Sequence, residues 1–519
     1  MDLINDYEAR FPVEQWAIRG VRVWPIIRIA LARELQLAGT PERVRDFSET
    51  SAAEARAALR GLVKHFRAQA VDFRHNQWPV GHRGAVFLTN AHFRVALNGQ
   101  WFDQVCDPII EVLGRKGVGS FVLERNLRWD YRIPRHSGSM FVLPRLRLMR
   151  LQTKLFRPRL ASEQARLPGF DQFVSELARG GYGIHLPSRE NLEILVDALL
   201  RSAAYFRRLL RRLGAFIGFT AAYYGLDGMA FNLACRQVGI PSVDLQHGLQ
   251  GPLHVAYGRW LKVPDRSYEL LPFFFWTWSD REAEIIDAWS RRVPQGHKPV
   301  VCGNPWLDMW LDGGSELVRH YGDMLGRIKA EHPAQRHILV ALGPFREMLA
   351  PWIVETIRQS SPQWFWWLRL HPQWRTLSWA RKLLLEHFKD DRPENIEIDR
   401  ATDYPLPALL RMADLVVTNY SSVVLEAEKM GVPSVVTSEY GSELYVRQIE
   451  SGWTSVAFSS QELRRAIEAE PRVRKDLGGT LRSRGLGRRR QSGLEALLKA
   501  AGRGYPGGGG PGEIKGLRG

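Results

Sequence analysis

The run Thr418-Asn419-Tyr420-Ser421-Ser422 leaves an apolar stretch and enters a helical pattern through two hydroxyl residues. Serines at a helix start satisfy orphan backbone amides, and the remaining amides, with the helix dipole, attract a phosphate or pyrophosphate. Glu426 follows Ser422 by four residues, so both lie on one helix face, where the carboxylate can accept hydrogen bonds from ribose hydroxyls. Arg369-Leu370-His371-Pro372 closes an aromatic strand-like run, and Pro372 holds His371 extended, aiming the imidazole off the strand end toward a phosphate or a leaving nucleotide. Gly343-Pro344-Phe345-Arg346 ends another apolar run and offers backbone amides and a cation. Taken singly, these are an ordinary capped helix and ordinary strand ends. Their concurrence carries the weight, because three strand ends of one domain then present phosphate-binding groups to one crevice.

A different chemistry is available at Gln246-His247-Gly248, the turn after a strand-like run at 240–245. An imidazole with an ordinary pKa of about 6.5 suits removal of a proton from a hydroxyl, which makes His247 the candidate general base. Asp227, in Leu226-Asp227-Gly228, is the second catalytic candidate. Asp244, His254 and His92 are further alternatives for the base, and substrate binding alone is the other role open to His247. No Asp-x-Asp pair stands at a strand end, and no His and Cys residues have metal-ligand spacing, so no metal is expected. Amides, hydroxyls and His371 would then meet the charge of a leaving phosphate. A Walker phosphate loop, a Gly-x-Gly-x-x-Gly fingerprint and a Gly-x-Ser-x-Gly elbow are missing from the sequence, which removes the kinase, dehydrogenase and hydrolase classes.

The elements that must hold these residues are legible from periodicity. Residues 11–37 interleave Trp16, Trp24, Ile26, Ile27 and Leu31 with arginines, a pattern that fits a helix packed on the domain behind it or one lying in a lipid interface. A strand at 85–89, a helix at 101–113 and a strand at 121–123 begin a first α/β series; residues 135–166 lack a period and look like a loop-rich excursion; a basic helix spans 191–214. A strand at 300–302 opens a second series of strands at 337–342, 365–370, 396–398, 415–418 and 434–437, alternating with helices. The expected fold class is α/β, with two Rossmann-like domains facing a central cleft. The expected division is a helical N-terminal extension at 1–78, an N-terminal Rossmann-like acceptor domain at 79–298, a C-terminal nucleotide-donor domain at 299–472, and a basic then Gly/Pro-rich tail at 473–519.

Length and composition agree with that division. A chain of 519 residues exceeds one ordinary core, and 45% hydrophobic residues with 24% charged ones excludes wholesale disorder. No apolar run reaches the roughly 18 residues of a membrane span, and residues 1–10 lack a secretory pattern, so a cytoplasmic location is expected. Cys106, Cys235 and Cys302 are too far apart for a zinc or redox motif and fit reduced core thiols. A net charge of +17 calls for anionic surroundings; with no nucleic-acid module apparent, the inner face of the cytoplasmic membrane and an anionic glycan are preferred to nucleic acid.

With these residues in place, a resemblance emerges. Val301-Cys302-Gly303-Asn304-Pro305-Trp306-Leu307-Asp308 resembles the domain-crossing motif of GT-B enzymes and of UDP-N-acetylglucosamine 2-epimerases, which brings Asn304 into the donor-binding set. His371-Pro372 with Ser421-Ser422 resembles the paired motifs of bacterial enzymes that use CMP- or CDP-activated donors: capsule sialyltransferases, Kdo transferases and CDP-glycerol glycerophosphotransferases. Gln246-His247-Gly248 is similar to the Trp-His-Gly of the last group, with Gln246 in the place of the aromatic residue, and Leu226-Asp227-Gly228 is a partial echo of the acidic motif that supplies the base in sialyltransferases. The resemblance covers roughly residues 220–460. It implies an inverting transferase with a nucleotide-activated sugar as donor substrate, no separate cofactor, and a polysaccharide or lipid-linked glycan acceptor of capsule or lipopolysaccharide synthesis. An epimerase on the same fold and a non-catalytic assembly or export factor are the competing readings.

Overall fold

A computed structural model describes residues 1–38, 84–125, 132–155, 165–469 and 486–502, apart from short breaks at 183, 185, 249, 294, 334–335, 344–348, 372–373, 375–377 and 390–392. Two compact units are present: the first comprises residues 1–94, 99–303 and 488–519, the second residues 95–98 and 304–487.

In the first unit, seven strands make one parallel sheet: β1 (Gly84–Asn90), β2 (Gly119–Arg125), β3 (Ser139–Phe141), β4 (Ala215–Ala221), β5 (Ser242–Leu245), β6 (Phe274–Thr277) and β7 (Lys298–Val301). Their order across the sheet is β3-β2-β1-β4-β5-β6-β7. In the second unit the strands are β8 (Arg336–Ala341), β9 (Trp364–Arg369), β10 (Ile396–Glu397), β11 (Leu415–Thr418), β12 (Ser434–Val436) and β13 (Thr454–Val456), in the order β10-β9-β8-β11-β12-β13. Numbered from its own first strand, the second sheet reads 3-2-1-4-5-6, the doubly wound Rossmann order, and the first repeats it with a seventh strand added after the sixth; every pairing in both among the described residues is parallel. The expected fold class, α/β with two Rossmann-like domains, is therefore what the chain adopts.

Strand faces alternate as a two-sided sheet requires. Val86, Leu88, Phe121 and Leu123 enter one core of the first unit, and Ala85, Phe87, Val122 and Phe219 enter the other. The first core is closed by α1 (Asp2–Arg10), α2 (Trp24–Ala38), α5 (Phe170–Arg179), α6 (Arg189–Arg212) and α7 (Leu226–Val238); α3 (Asp107–Arg115) lies on the opposite face, while α4 (Leu143–Leu155) packs on α6. The N-terminal segment is thus part of the core. Trp16 and Trp24 are fully buried, and both meet Phe173 edge to face. Arg28, also fully buried, pairs with Glu8 and donates to the carbonyls of Val255 (3.0 Å), Gly258 (2.9 Å) and Arg259 (3.1 Å), tying α1 and α2 to the segment that follows His254.

Four expectations change. Residues 101–113 are a strand (Gln100–Asp103) followed by α3, which begins at Asp107 with Pro108 in its first turn. The stretch 135–166 contains β3, an edge strand of the sheet, and α4. The strand expected to open the second series is β7, paired in parallel with β6 from Phe274↔Lys298 to Thr277↔Val301, so it closes the first sheet. Within the expected tail, residues 486–502 form a helix, α8 (Leu486–Gly502), whose Leu494, Leu497, Leu498 and Ala501 are buried in the first unit's second core. Its arginine-rich start hid an apolar face spaced at 494, 497, 498 and 501. The three cysteines are buried and unpaired, and no helix among the described residues is long and apolar enough to cross a membrane.

Two outcomes follow from this packing. A side chain at Gly493 would place its Cβ 2.3 Å from the Val301 carbonyl oxygen, so Gly493→Val should lower stability by about 1–3 kcal/mol, read as a lower unfolding midpoint. His297, 1% exposed, donates from Nδ1 to the Pro272 carbonyl (2.8 Å) and accepts at Nε2 from the Tyr268 amide (3.0 Å), and burial pushes its pKa down to about 4. A lowered histidine pKa stabilises above the unfolded value and is lost as pH falls from about 6.5 to about 4, up to about 3 kcal/mol. Wild-type unfolding midpoints should fall through that window, and His297→Gln should flatten the slope.

Candidate functional site

In a doubly wound sheet the crevice opens at the carboxyl ends of the strands on either side of the first strand, where the crossovers diverge to opposite faces. In the second unit that point lies between β8 and β11. Gly343 follows β8, His371 follows β9, and Thr418 to Ser422 follow β11, so the strand ends picked out in the sequence are neighbours in the sheet. Pro372 and Arg346 lie outside the described residues.

The Thr418–Ser422 turn is held from several sides. Thr418 Oγ1 donates to the Ala341 carbonyl of β8 (2.7 Å) and accepts from the Ser421 amide (3.3 Å). Asn419 accepts at Oδ1 from Thr437 Oγ1 (2.6 Å) and at its carbonyl from Ser438 Oγ (2.8 Å). Tyr445 Oη donates to the Tyr420 and Ser421 carbonyls at 3.1 and 2.7 Å. Gly441 lets its helix approach this turn, since a Cβ there would sit 2.1 Å from the Asn419 carbonyl oxygen. The following helix spans only Val423–Lys429. Ser421 Oγ accepts weakly from the Val423 amide (3.4 Å), while Ser422 supplies no capping bond. The half-buried Ser422 hydroxyl and the half-buried Glu426 carboxylate have no hydrogen-bond partner among the described residues. Burial pushes the Glu426 pKa up to about 7, against the pull of Lys429 and Arg369. The His371 imidazole is pushed down to about 4 by burial and by Arg369, so it is neutral at pH 7. Arg369 itself is occupied: its Nη1 donates to the carbonyls of Ala401 (2.6 Å) and Tyr404 (2.7 Å) at the end of the helix Asp399–Asp403. Asn304 is buried and caps the helix Pro305–Asp312 through Oδ1 to the Leu307 amide (3.1 Å), so its side chain is committed to that cap.

In the first unit the divergence lies between β1 and β4. Ala222, just after β4, has φ +65°, a left-handed conformation that costs a non-glycine residue about 1–2 kcal/mol and turns the chain sharply into Tyr223 and Tyr224. Gly228 permits α7 to approach: its Cβ would lie 2.5 Å from the Tyr223 carbonyl oxygen. His247, after β5, donates from Nδ1 to the Leu245 carbonyl (3.0 Å), which leaves Nε2 as the acceptor, 3.2 Å from Tyr224 Oη. Burial pushes its pKa down, and Arg125 adds to the shift. Beneath it, Asp244 is fully buried, accepts from the Tyr223 amide and Tyr257 Oη (both 2.9 Å), and is pushed up to about 8 by burial. The His254 imidazole, pushed down to about 4, is edged by the Tyr224 and Tyr257 rings at 5.5 and 4.7 Å. His92 lies tilted against Phe93 (4.1 Å), whose ring in turn meets His247 at 5.6 Å, so the three histidines considered as bases share one neighbourhood. Asp227 is buried and pairs with Arg150, which ties the start of α7 to α4.

Tyr224, Tyr257 and Arg125 escaped the sequence reading. Their signals were present: Tyr223-Tyr224-Gly225 closes the strand Ala215–Ala221, and Arg125 is the last residue of β2, beyond the three apolar positions that periodicity marks.

No protein-family model matches the chain, and no curated protein matches it in sequence. Among solved structures, it is similar to a UDP-GlcNAc 2-epimerase from Neisseria meningitidis bound to UDP-GlcNAc, at 14% identity and TM-score 0.47 over 80% of this chain and 100% of that one. It is also similar to the wall teichoic acid polymerase TagF (12% identity, TM-score 0.43, 87% of this chain and 98% of that one) and to a glycotransferase of kitacinnamycin (15%, 0.40, 81% and 97%). Likeness at these levels concerns the fold alone.

The His247 geometry has a direct readout. Its imidazole should titrate below about 6.5 in a histidine-labelled NMR experiment. Tyr224→Phe removes the hydroxyl that donates to Nε2 of the neutral ring, and should raise that pKa. An unchanged value would show that the hydroxyl does not favour the neutral ring.

Proposed function

We propose that this chain is a glycosyltransferase that moves a sugar, or a polyol phosphate, from a nucleotide-activated donor to a surface polysaccharide or lipid-linked acceptor, as in capsule or lipopolysaccharide synthesis. The observation that carries the reading is the pairing of Ser422 and Glu426. Both are polar, half-buried and without a hydrogen-bond partner among the described residues, on a braced turn at the divergence point of a Rossmann-order sheet. In this reading the second unit holds the nucleotide. Ser421, Ser422 and the turn amides meet the phosphates, Glu426 accepts from the ribose, and neutral His371 donates a hydrogen bond to the departing phosphate. Gly343 leaves room for the ligand at the next strand end.

His247 is the general base. Its Nδ1 proton is held by the Leu245 carbonyl, so Nε2 is the nitrogen that takes the proton of an acceptor hydroxyl, which displaces Tyr224 Oη there, as that oxygen attacks the anomeric carbon. The bond from that carbon to the nucleotide phosphate breaks from the opposite side, and the configuration inverts. Asp227, committed to Arg150, positions α7 under Tyr223. The chain's excess of positive charge suits a place beside anionic glycan and the inner face of the cytoplasmic membrane.

Calorimetric titration with CMP, CDP, UDP and GDP tests the donor half. At least one should bind, and His371→Ala and Ser422→Ala should each weaken it about tenfold, the worth of a hydrogen bond to a charged group. Preference for CMP or CDP would direct the search to acidic-sugar or polyol-phosphate donors, and preference for UDP or GDP to other donors or to epimerisation. Absence of binding to all four would overturn the reading.

A further inference from the structure

Arg125 is 6% exposed, yet it has no ion pair among the described residues. Its Nη2 donates to the Ala221 carbonyl (2.8 Å), and its buried Nε has no hydrogen-bond partner among the described residues. Because β1 lies between β2 and β4, a side chain that starts at the end of β2 and reaches the end of β4 passes over the end of β1, across the divergence point itself. There its Nη1 approaches Gly225, where a Cβ would lie 3.9 Å away. Gly225 is the N-cap of α7, a helix of 13 residues whose first turn receives no side-chain cap.

The carboxylates within electrostatic reach of Arg125 are already engaged. Asp227 is paired with Arg150, and Asp244 is held by Tyr223 and Tyr257 and disfavoured as an anion by its burial. Tyr224 also faces the guanidinium and is pushed up to about 12, hence neutral, while Arg150 adds a like charge. A buried guanidinium and a helix start without a side-chain cap therefore converge on one spot where the one first-turn carboxylate, Asp227, is held by Arg150, an arrangement with room for a further anion.

We propose that Arg125 and the first-turn amides of α7 form an anion seat in the first unit, which takes a carboxylate or phosphate carried by the acceptor. The word acceptor rests on the transferase reading; the seat itself does not. Occupation would place the acceptor's charged group beside Tyr224 and His247, fixing which of its hydroxyls meets Nε2.

The test uses the full chain labelled at histidine, with the His247 resonance assigned by its loss in His247→Gln. Inorganic phosphate and acetate are titrated separately at constant ionic strength. In wild type, a saturable shift of the His247 signal is expected, with its pKa raised as the bound anion offsets Arg125. Arg125→Gln should weaken the response about tenfold or more. Tighter binding of acetate assigns the carboxylate of an acidic sugar; tighter binding of phosphate assigns a phosphorylated acceptor. No saturable shift with either probe, or an unchanged response in Arg125→Gln, overturns the seat. Should that variant fail to fold, Arg125→Lys decides: it keeps the charge but loses the planar fork, so weaker binding supports the seat and unchanged binding overturns it. Nucleotide binding by the second unit is measured separately, so failure of one result leaves the other standing.

Discussion

A parallel sheet forces every connection to return from the carboxyl rim to the amino rim, so the chain leaves all of its strands at one edge. When the winding reverses after the first strand, the connections on either side depart to opposite faces and leave a space that no crossover fills. Both sheets of this chain are built on that constraint. It explains how residues separated by long stretches of sequence, such as His371 and Ser422, or Arg125, Tyr224 and His247, come to neighbouring strand ends. The chemistry is gathered by topology before any side chain makes a specific contact.

Topology brings the groups to one rim, and buried hydrogen bonds fix their aim. In the second unit, Thr418, Asn419 and Tyr445 spend their polar atoms on the turn, which leaves the next residue, Ser422, with its hydroxyl uncommitted. In the first unit the corresponding work is spread wider. The Arg28 and Glu8 pair anchors the segment after His254, Trp289 donates to the Tyr257 carbonyl (2.8 Å), and Tyr257 in turn holds Asp244. A buried ion pair of this kind adds little net stability, but removing one partner strands a charge and costs about 3–5 kcal/mol. The N-terminal segment is in this sense a distant support of the His247 neighbourhood.

Much of this was legible in the sequence, unevenly. The strands of the second unit are mostly apolar runs with turn residues at their ends, and periodicity found five of the six, missing the three-residue edge strand Thr454–Val456. In the first unit, the strand Ala215–Ala221 merges with the end of a long helix and lacks a turn signal apart from Gly214, so it went unseen, and Tyr224 with it. Period detects apolar positions, whereas the last residue of a strand is often polar because it faces the crevice; Arg125 is such a residue. The cap at Asn304 is a local Asn-Pro helix start that the sequence reading gave to ligand binding instead, whereas the ion pair of Asp227 with Arg150 is a tertiary fact that no local pattern encodes. Helix α8 was concealed by composition, since its arginines and glycines resemble those of a tail until its four apolar positions are placed on one face.

That last helix gives the chain an unusual order of assembly. The second unit is an insertion in the first, because residues 304–487 intervene between β7 and the segment that completes the core beneath it. On the ribosome, Leu494, Leu497 and Leu498 emerge only after the entire second unit has been made. The core on that side of the sheet, where Phe87, Phe219 and Val243 meet Ile109 and Leu113 of α3, must wait incomplete through that interval. The unit begun first is therefore finished last, and its half-built sheet is the species that most needs protection from aggregation while the other domain folds.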